Sequence, residues 1–531
     1  MARRPTLVAR RAIVGCLLAA GVAIAAAQPA AAAPAPVAGT WQAAKTVVLP
    51  PVINFGQFAT VNSIACPSPG NCTAVGHFSD SHGNRAAIAA SEKNHTWAAA
   101  SQPYGTVGVE FFSIPDLVSV SCSAAGNCTA VGVITYKDEW TAGLVLNETK
   151  GTWNQADYFH QDEKGAQVNA VSCPHATNDA CAAGGYYVDA SGNTQAMLLD
   201  QLADSDWVTL NALPGLATLN AGGNAAVTSV SCPSAGNCAA GGYYTDAHGN
   251  RQAFVITKKK GTWQNAREVA GTLNSGGYAQ VNAVSCASAG NCAAAGQYFR
   301  YVAPNASTQA FEATEKNGAW SSAAEIPGTA SLNVDGVAVA TSVSCAPSAG
   351  PLNCGLGGRY QDKNGHAQAF VDLLKKGVWQ QASAIATAHN LGGYAQVSTV
   401  SCPSAGNCAA GGYYSDGHLG GTLPFTVDGA VTQPTTTTLG LSAATVKYGH
   451  EQAEKISVKV TPADAGPATG TVAIAAGKTN LCQVKLSSGK GSCTLAAKKL
   501  GPGSYHVVAS YAGATYFAKS ASAAKTLKVT G

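Results

Sequence analysis

Val227-Thr-Ser-Val-Ser-Cys232, Pro233-Ser-Ala-Gly-Asn237 and Cys238-Ala-Ala-Gly-Gly-Tyr-Tyr244 form the continuous stretch that decides the fold. Two short runs rich in β-branched and aromatic residues flank a turn of Pro, Ser, Gly and Asn, with a cysteine on each side of it. This reads as strand, tight turn, strand. Arg251-Gln-Ala-Phe-Val-Ile256 follows as a third strand and Gly261-Thr-Trp263 as a short fourth.

The cysteine pair recurs seven times: Cys66 with Cys72, Cys122 with Cys128, Cys173 with Cys181, Cys232 with Cys238, Cys286 with Cys292, Cys345 with Cys354 and Cys402 with Cys408. Five pairs enclose five residues; the two longer loops still keep both thiols. A loop whose length varies while its thiols stay paired marks a local disulfide. Zinc sites more often show C-x₂-C pairs in twos, and none is present. Cys482 and Cys493 form an eighth pair, expected to staple a hairpin across Ser487-Ser-Gly-Lys490. Cys16 is left in the leader.

Four strands per unit, at a period of about 56 residues, is the pattern of propeller blades. Trp97, Trp153, Trp207, Trp263, Trp320 and Trp379 close six units. The seventh ends at Pro424-Phe-Thr-Val-Asp-Gly429 without a tryptophan, and Gly39-Thr-Trp41-Gln supplies the missing strand from the other end. A ring sealed in this way leaves no sheet edge open. The expectation is an all-β chain with a seven-bladed β-propeller over 39–429 and one disulfide per blade. The disulfide loops are expected on one face, the Asp-x-x-Gly turns and the long loops on the other.

The formal charge of +4 resides in Arg3, Arg4, Arg10 and Arg11; without them the chain carries 28 basic and 28 acidic residues. That balance excludes a nucleic-acid footprint. The basic segment to Arg11, the apolar run Ala12 to Ala27 and the site at Ala31-Ala32-Ala33 read as a signal peptide over 1–33. Ordinary secretion is favoured over twin-arginine export, because the surroundings of Arg10-Arg11 match that signal poorly. Ile13-Val14-Gly15-Cys16 precedes the apolar run and so does not serve as a lipobox. No other segment reaches the length of a membrane span. A secreted monomer is expected, extracellular or loosely wall-associated.

Val431-Thr-Gln-Pro-Thr-Thr-Thr-Thr438 reads as the core of a linker over 430–438. Residues 439–531 alternate in the rhythm of an Ig-type sandwich, as in Ile456-Ser-Val-Lys-Val460 and Tyr505-His-Val-Val-Ala-Ser-Tyr511. Tyr448-Gly449, Val460-Thr-Pro462, Pro467-Ala-Thr-Gly-Thr-Val472, Gly491-Ser-Cys-Thr-Leu495, Leu500-Gly-Pro-Gly-Ser-Tyr505 and Tyr511-Ala-Gly513 resemble the bacterial Ig-like repeats of cell-surface and secreted proteins. That resemblance implies a spacer or adhesive stalk and no catalytic residues. The seven-unit region resembles secreted propellers of soil actinobacteria. Its Gly-Thr-Trp ends resemble the Asp-box turn of sialidase-like propellers, although Thr257-Lys-Lys-Lys-Gly-Thr-Trp263 lacks the Ser and Asp of that box. The resemblance therefore implies fold and not activity.

No catalytic set emerges. A sialidase-like site needs three arginines, and beyond the leader the chain has Arg85, Arg251, Arg267, Arg300 and Arg359, of which Arg85 and Arg251 share a repeat position. Asp80, Asp189, Asp246, Asp362 and Asp416 recur at one turn position and read as turn residues. Glu110, Asp116, Asp162 and Glu163 do not recur and are better candidates for a glycosidase pair. His77, His82, His160, His248, His366 and His418 read mostly as turn residues. There is no nucleophile elbow, no H-E-x-x-H and no EF-hand spacing. Neither metal nor cofactor is expected.

The strongest binding signal lies in the loops entering the inner strands. Gly277-Tyr-Ala-Gln-Val281 and Gly393-Tyr-Ala-Gln-Val397 are near copies, with relatives at Gly56-Gln-Phe-Ala-Thr-Val61 and Gly165-Ala-Gln-Val168. Tyr278, Tyr394 and Phe58, with Gln280, Gln396 and Gln167, put aromatic faces and amides near the channel mouth. Such groups suit sugars or peptides; the competing reading is packing between blades. The expected function is extracellular binding or adhesion to a glycan or surface protein, with the Ig-like domain as spacer. The alternative is a carbohydrate-active enzyme.

Overall fold

The computed structural model describes residues 59–531, except 69, 80–84, 95, 105, 107–113, 137–139, 160–164, 176–179, 203–205, 303–304, 335, 349, 388, 418–421, 431–434, 463–467 and 515–516. The expected leader, the strand at Gly39-Thr-Trp41 and Phe58 lie outside the described residues, as do Asp80, His82, Glu110, His160, Asp162, Glu163 and His418.

The chain is all-β. Seven antiparallel sheets follow one another before residue 431. The fourth is typical, with Ala226–Ser234, Asn237–Thr245, Arg251–Lys259 and Thr262–Trp263 hydrogen-bonded in that order. In each sheet a disulfide ties the first, innermost strand, or its end, to the second. All seven expected bonds are formed: Cys66 to Cys72, Cys122 to Cys128, Cys173 to Cys181, Cys232 to Cys238, Cys286 to Cys292, Cys345 to Cys354 and Cys402 to Cys408. The longer spacings of Cys173 to Cys181 and Cys345 to Cys354 change only the loop, since their Cα atoms lie 4.1 and 4.0 Å apart, as in the short pairs. A loop this short contributes roughly 2 kcal/mol in the chain-entropy account.

The two hairpin tips at the disulfide end brace each other. Lys260 and Gly261 both adopt positive φ (48° and 85°), which a two-residue turn between twisted strands requires. The Lys260 N–H then donates to Asn237 Oδ1 at 3.2 Å, and the Gly261 N–H donates to the Gly236 carbonyl at 2.8 Å. Asn127 and Asn291 accept in the same way in the second and fifth sheets. The Gly-Asn-Cys and Lys-Gly-Thr-Trp pieces of the repeat are thus the two halves of one contact.

Each inner strand carries a β-bulge, located in the fourth sheet between Val227 and Ser229. The bulged residue turns its side chain to the next sheet. Asn62, Asn169, Thr228, Asn282 and Thr341 donate to the carbonyls of Leu117, Val227, Val281, Ala340 and Val397 at 2.6–2.8 Å. Lower on the same strands, Ser172, Ser231 and Ser344 accept the N–H of Cys232, Cys286 and Cys402 at 2.9–3.0 Å. Sheets are therefore sewn together by side chains reaching backbone.

The Gly-Gly pair of the second strand answers to this geometry. A Cβ on Gly242 would collide with the Ala226 carbonyl, which the bulge pushes against it. A Cβ on Gly241 would lie 2.6 Å from Val281 Cγ1 and 2.9 Å from Val284 Cγ2, two side chains of the fifth sheet's inner strand. The Val-x-x-Val of one sheet thus nests on the glycine of the sheet before it. Val227, Val230, Val281 and Val284 are 0–7% exposed as a result. In the first sheet the matching Val61 and Ile64 are 51% and 55% exposed. At the other end of the array, Gly411 of the seventh sheet meets no side chain of another sheet among the described residues.

The disulfide ends of the first five inner strands, with Pro347 from the loop after the sixth, line one cavity of about 360 Å³ that Cys66, Cys122, Cys173, Cys232 and Cys286 reach. The sheets thus curve about a common centre.

The last ninety or so residues form a two-sheet sandwich. One sheet pairs Thr435–Leu441, Lys455–Pro462 and Lys490–Thr494; the other is built from Thr445–Lys447, Lys525–Thr530, Gly503–Tyr511, Thr471–Ala476 and Thr479–Lys485. Two expectations change here. Thr435 to Thr438, placed in the linker by composition, pair with residues 459–462, because alternate threonines turn inward and Thr437 is buried. The Cys482–Cys493 disulfide does not staple a hairpin within one sheet; it joins strands of the two opposed sheets. The Leu500-Gly-Pro-Gly-Ser-Tyr505 motif is a corner in which Tyr505 Oη donates to the Gly501 carbonyl at 2.9 Å.

Replacing Thr228 by Val keeps the shape of the bulge but strands the Val281 carbonyl. We expect a loss of about 1–3 kcal/mol in denaturant unfolding. An unchanged midpoint with unchanged slope would show that the bulge bond contributes nothing.

Candidate functional site

At the end of the strands opposite the disulfides, the Asp turns do more than close a hairpin. Asp246 Oδ1 accepts the N–H of His248 and Asn250, and its Oδ2 accepts from Gln252 Nε2 at 3.1 Å. Asn274, from the loop entering the fifth sheet, donates to Gln252 Oε1 and to the Arg251 carbonyl, and its Oδ1 accepts the Tyr278 N–H at 2.8 Å. This relay carries the order of the turn into the next sheet's entry loop. It recurs as Asp189–Gln195–Asn220 and Asp362–Gln368–Asn390. Hydrogen bonds from Gln195 and the Asn193 N–H hold the Asp189 carboxyl below its ordinary range, so this turn stays ionised and structural. His77, read as a turn residue, instead lies within the strand Asn71–Ser79.

Upon this relay sit two clusters. In the first, the Arg251 guanidinium stacks 3.6 Å from the Tyr243 ring centre and 5.0 Å from that of Tyr278. Its Nη1 donates to Tyr278 Oη at 3.0 Å and to Gln280 Oε1 at 2.9 Å. Gln280 Nε2 donates in turn to Asn282 Oδ1, so the cluster is continuous with the bulge bond to Ala340. In the second, Arg359 Nη1 donates to Tyr394 Oη at 2.8 Å, and the Tyr394 ring stacks on Tyr413 at 5.8 Å. Burial pushes the Tyr413 phenol up; Tyr394 adds to the shift and Arg359 opposes it.

Tyr278 and Tyr394 are 38% and 36% exposed. They touch their neighbours and still keep over a third of their surface exposed. Gln280 joins the first cluster, whereas Gln396 and Gln167 are half-buried and make no hydrogen bond in either one. Sequence reading noted only that Arg85 and Arg251 share a repeat position and did not pair Arg251 or Arg359 with the tyrosines. The signal was present in Arg251, which shares the repeat position of Arg85, but Arg359 sits in a different strand and no spacing rule connects it to Tyr394.

A third polar group occupies the same end of the first two sheets. His77 Nδ1 lies 3.0 Å from Asp116 Oδ1, and Asn62 Nδ2 donates to that same oxygen at 2.9 Å. A carboxylate that orients an imidazole is one element of hydrolytic sites. Among the described residues no cluster of three His, Cys, Asp or Glu offers a metal site.

Burial raises the pKa of several acids elsewhere, Glu312 and Asp372 among them. Burial pushes the Glu312 carboxyl up to about 7, the Trp379 indole opposes the shift and Asp372 adds to it. Burial likewise pushes Asp372 up to about 6, against hydrogen bonds from backbone N–H groups. Both lie on third strands of the fifth and sixth sheets, away from the inner strands that line the centre.

Residues 437–530 match the model of the bacterial Ig-like domain (group 3), and the sandwich described above is that domain. No curated protein matches the chain. Among solved structures, a protein of unknown function from Dyadobacter fermentans is 12% identical, with 70% of this chain and 93% of that one covered and a TM-score of 0.35. A β-fructofuranosidase of Bombyx mori, solved with sucrose, is 9% identical, with 69% and 86% covered and a TM-score of 0.26. A xylan β-1,4-xylosidase from Bacillus halodurans is also 9% identical, with 91% and 97% covered and a TM-score of 0.26. Likeness at this level transfers no activity to this chain.

Glu312 and Asp372 bind protons more tightly folded than unfolded, so their contribution to stability is full at low pH and is lost as pH rises from about 4 to about 7. Glu312→Gln should therefore raise the melting temperature at pH 8 by a few degrees and leave it unchanged at pH 4, as read by calorimetry at both values.

Proposed function

We propose that this chain is a secreted binding protein whose seven sheets close into a seven-bladed propeller, with the Ig-like domain as spacer. The exposed arginine–tyrosine clusters carry the reading. Each sets a partly exposed tyrosine beside a half-buried cation, and the first is tied to the relay through the Tyr278 N–H, which is the make-up of a recognition surface rather than of a reacting centre. The chain's disulfides fit an oxidising, extracellular setting, and among the described residues no helix is long and apolar enough to cross a membrane.

Ring closure rests on complementary faces. Val61 and Ile64 present the nest-filling pair half exposed, and Gly411 presents a nest that no side chain of another sheet fills among the described residues. The seventh sheet has three strands among the described residues, and the sequence of Gly39-Thr-Trp41 suits the fourth. Closing the ring buries apolar surface that otherwise faces water. A second reading, hydrolysis of an extracellular carbohydrate, draws on the His77–Asp116 pair.

Two measurements decide these points. The mature protein on a glycan array, beside a polysaccharide hydrolysis screen, should bind without turnover; release of reducing ends abolished by Asp116→Asn would establish the enzyme instead. Gly411→Val should destabilise by about 1–3 kcal/mol, as Gly241→Val does, because a closed ring fills that space with Val61 and Ile64. If Gly411→Val melts with the parent while Gly241→Val does not, the ring is open.

A further inference from the structure

We infer that the two arginine–tyrosine clusters are subsites for the carboxylates of an acidic polysaccharide, one uronate-type sugar at each. The inference rests on the binding function proposed for the same face and names its ligand class.

Charge comes first. Lys258 is matched by Asp200 at 2.8 Å and Arg300 approaches Glu325 at 4.0 Å, whereas neither Arg251 nor Arg359 lies within ion-pair reach of a carboxylate among the described residues. Their partners are neutral: two phenols and an amide oxygen. Arg251 uses only Nη1 on them, so its Nε and Nη2 keep the paired N–H edge that grips a carboxylate through two parallel bonds. Stacking on Tyr243 holds the guanidinium plane in place beforehand. Preorganisation of this kind lowers the entropic cost of binding.

Shape comes second. Tyr278 and Tyr394 keep over a third of their surface exposed beside their arginines, room for a pyranose to rest its C–H face on the ring while its carboxylate meets the guanidinium.

The third observation concerns position. Arg251 opens the third strand of the fourth sheet; Arg359 lies in the second strand of the sixth, at the place Tyr243 holds in the fourth. At the place of Arg251 the sixth sheet has Ala367. A residue kept for folding keeps its place in a repeat. Here the place moves and the arginine–tyrosine pair is retained, each time one sheet before a Gly-Tyr-Ala-Gln entry loop. Two like subsites on one end of the sheets match a polymer with a carboxylate on every residue, since engagement of the second is intramolecular.

The test is affinity electrophoresis and titration calorimetry of the full chain with sodium polygalacturonate, neutral dextran and poly-L-glutamate as probes. Polygalacturonate should bind and weaken as NaCl rises. Arg251→Gln or Arg359→Gln should each cost about tenfold in affinity, and the double variant about a hundredfold or more. An unchanged melting temperature shows the variants fold; should either fail, Arg251→Lys and Arg359→Lys keep the charge and lose the paired fork. Equal binding of poly-L-glutamate overturns the sugar class, and undiminished binding by the double variant overturns the site. Dextran binding without polygalacturonate binding overturns the acidic ligand while the binding function stands. Silence toward all three probes overturns the inference. Turnover of glycans in the hydrolysis screen overturns the binding function itself.

Discussion

A single bulged residue in each inner strand governs how neighbouring sheets meet. One extra residue leaves a side chain free of the ladder, and in five sheets that side chain is a Thr or Asn that bonds the next inner strand. The same bulge drives a carbonyl against the second strand, so glycine is obligatory there. In the third, fourth and sixth sheets the adjacent residue is also glycine and becomes the floor on which the next sheet's valines rest. Hydrogen bond, glycine pair and valine pair are thus consequences of one local irregularity. The second sheet shows how much redundancy exists: it has Val118 at the bulge, which cannot donate, and it is held at the same strand by Ser119 and Ser121.

Disulfides act on this scheme locally. They tie first strand to second within a sheet and leave the junctions between sheets to valines, serines and the bulge donor. Their end of the molecule is also the braced end, where Gly-Asn tips meet Lys-Gly turns. The opposite end is ordered differently, by the Asp–Gln–Asn relay seen in three sheets, which spans two sheets and, through Asn220 and Asn274, fixes the backbone of two entry loops. Side chains mounted on those loops inherit their precision from the relay and do not have to supply it.

Against a regular repeat, chemistry lies in the departures. Position 243 in the fourth sheet is Tyr; its counterpart is His77 in the first and Arg359 in the sixth. Each exchange brings a new partner: Asp116 for the histidine, Tyr394 for the arginine. These exchanges lie at one end of the sheets, above a scaffold whose other positions hardly vary. The scaffold can hold such changes because the affected side chains lie at strand ends and entry loops, outside the valine nests.

How much could be read without coordinates follows from range. Strands, turns, the seven local disulfides and the Ig-like end are decided by residues within a few positions of one another, so alternation, Gly-Asn turns and paired cysteines sufficed. Asp189, Asp246 and Asp362 were correctly legible as turn residues for the same reason. The errors arose where partners are far apart in the chain. Thr435 to Thr438 look like a linker because threonine runs are polar, and only pairing with residues 459–462 makes them a strand. Arg359 and Tyr394 are 35 residues apart, and Arg251 meets Tyr243 and Tyr278 on two different sheets. The sequence by itself determined the all-β repeat and its cross-links, because those depend on local backbone preference and short loops. Tertiary structure alone decided which cations face which rings, because that depends on how one twisted sheet is set against the next.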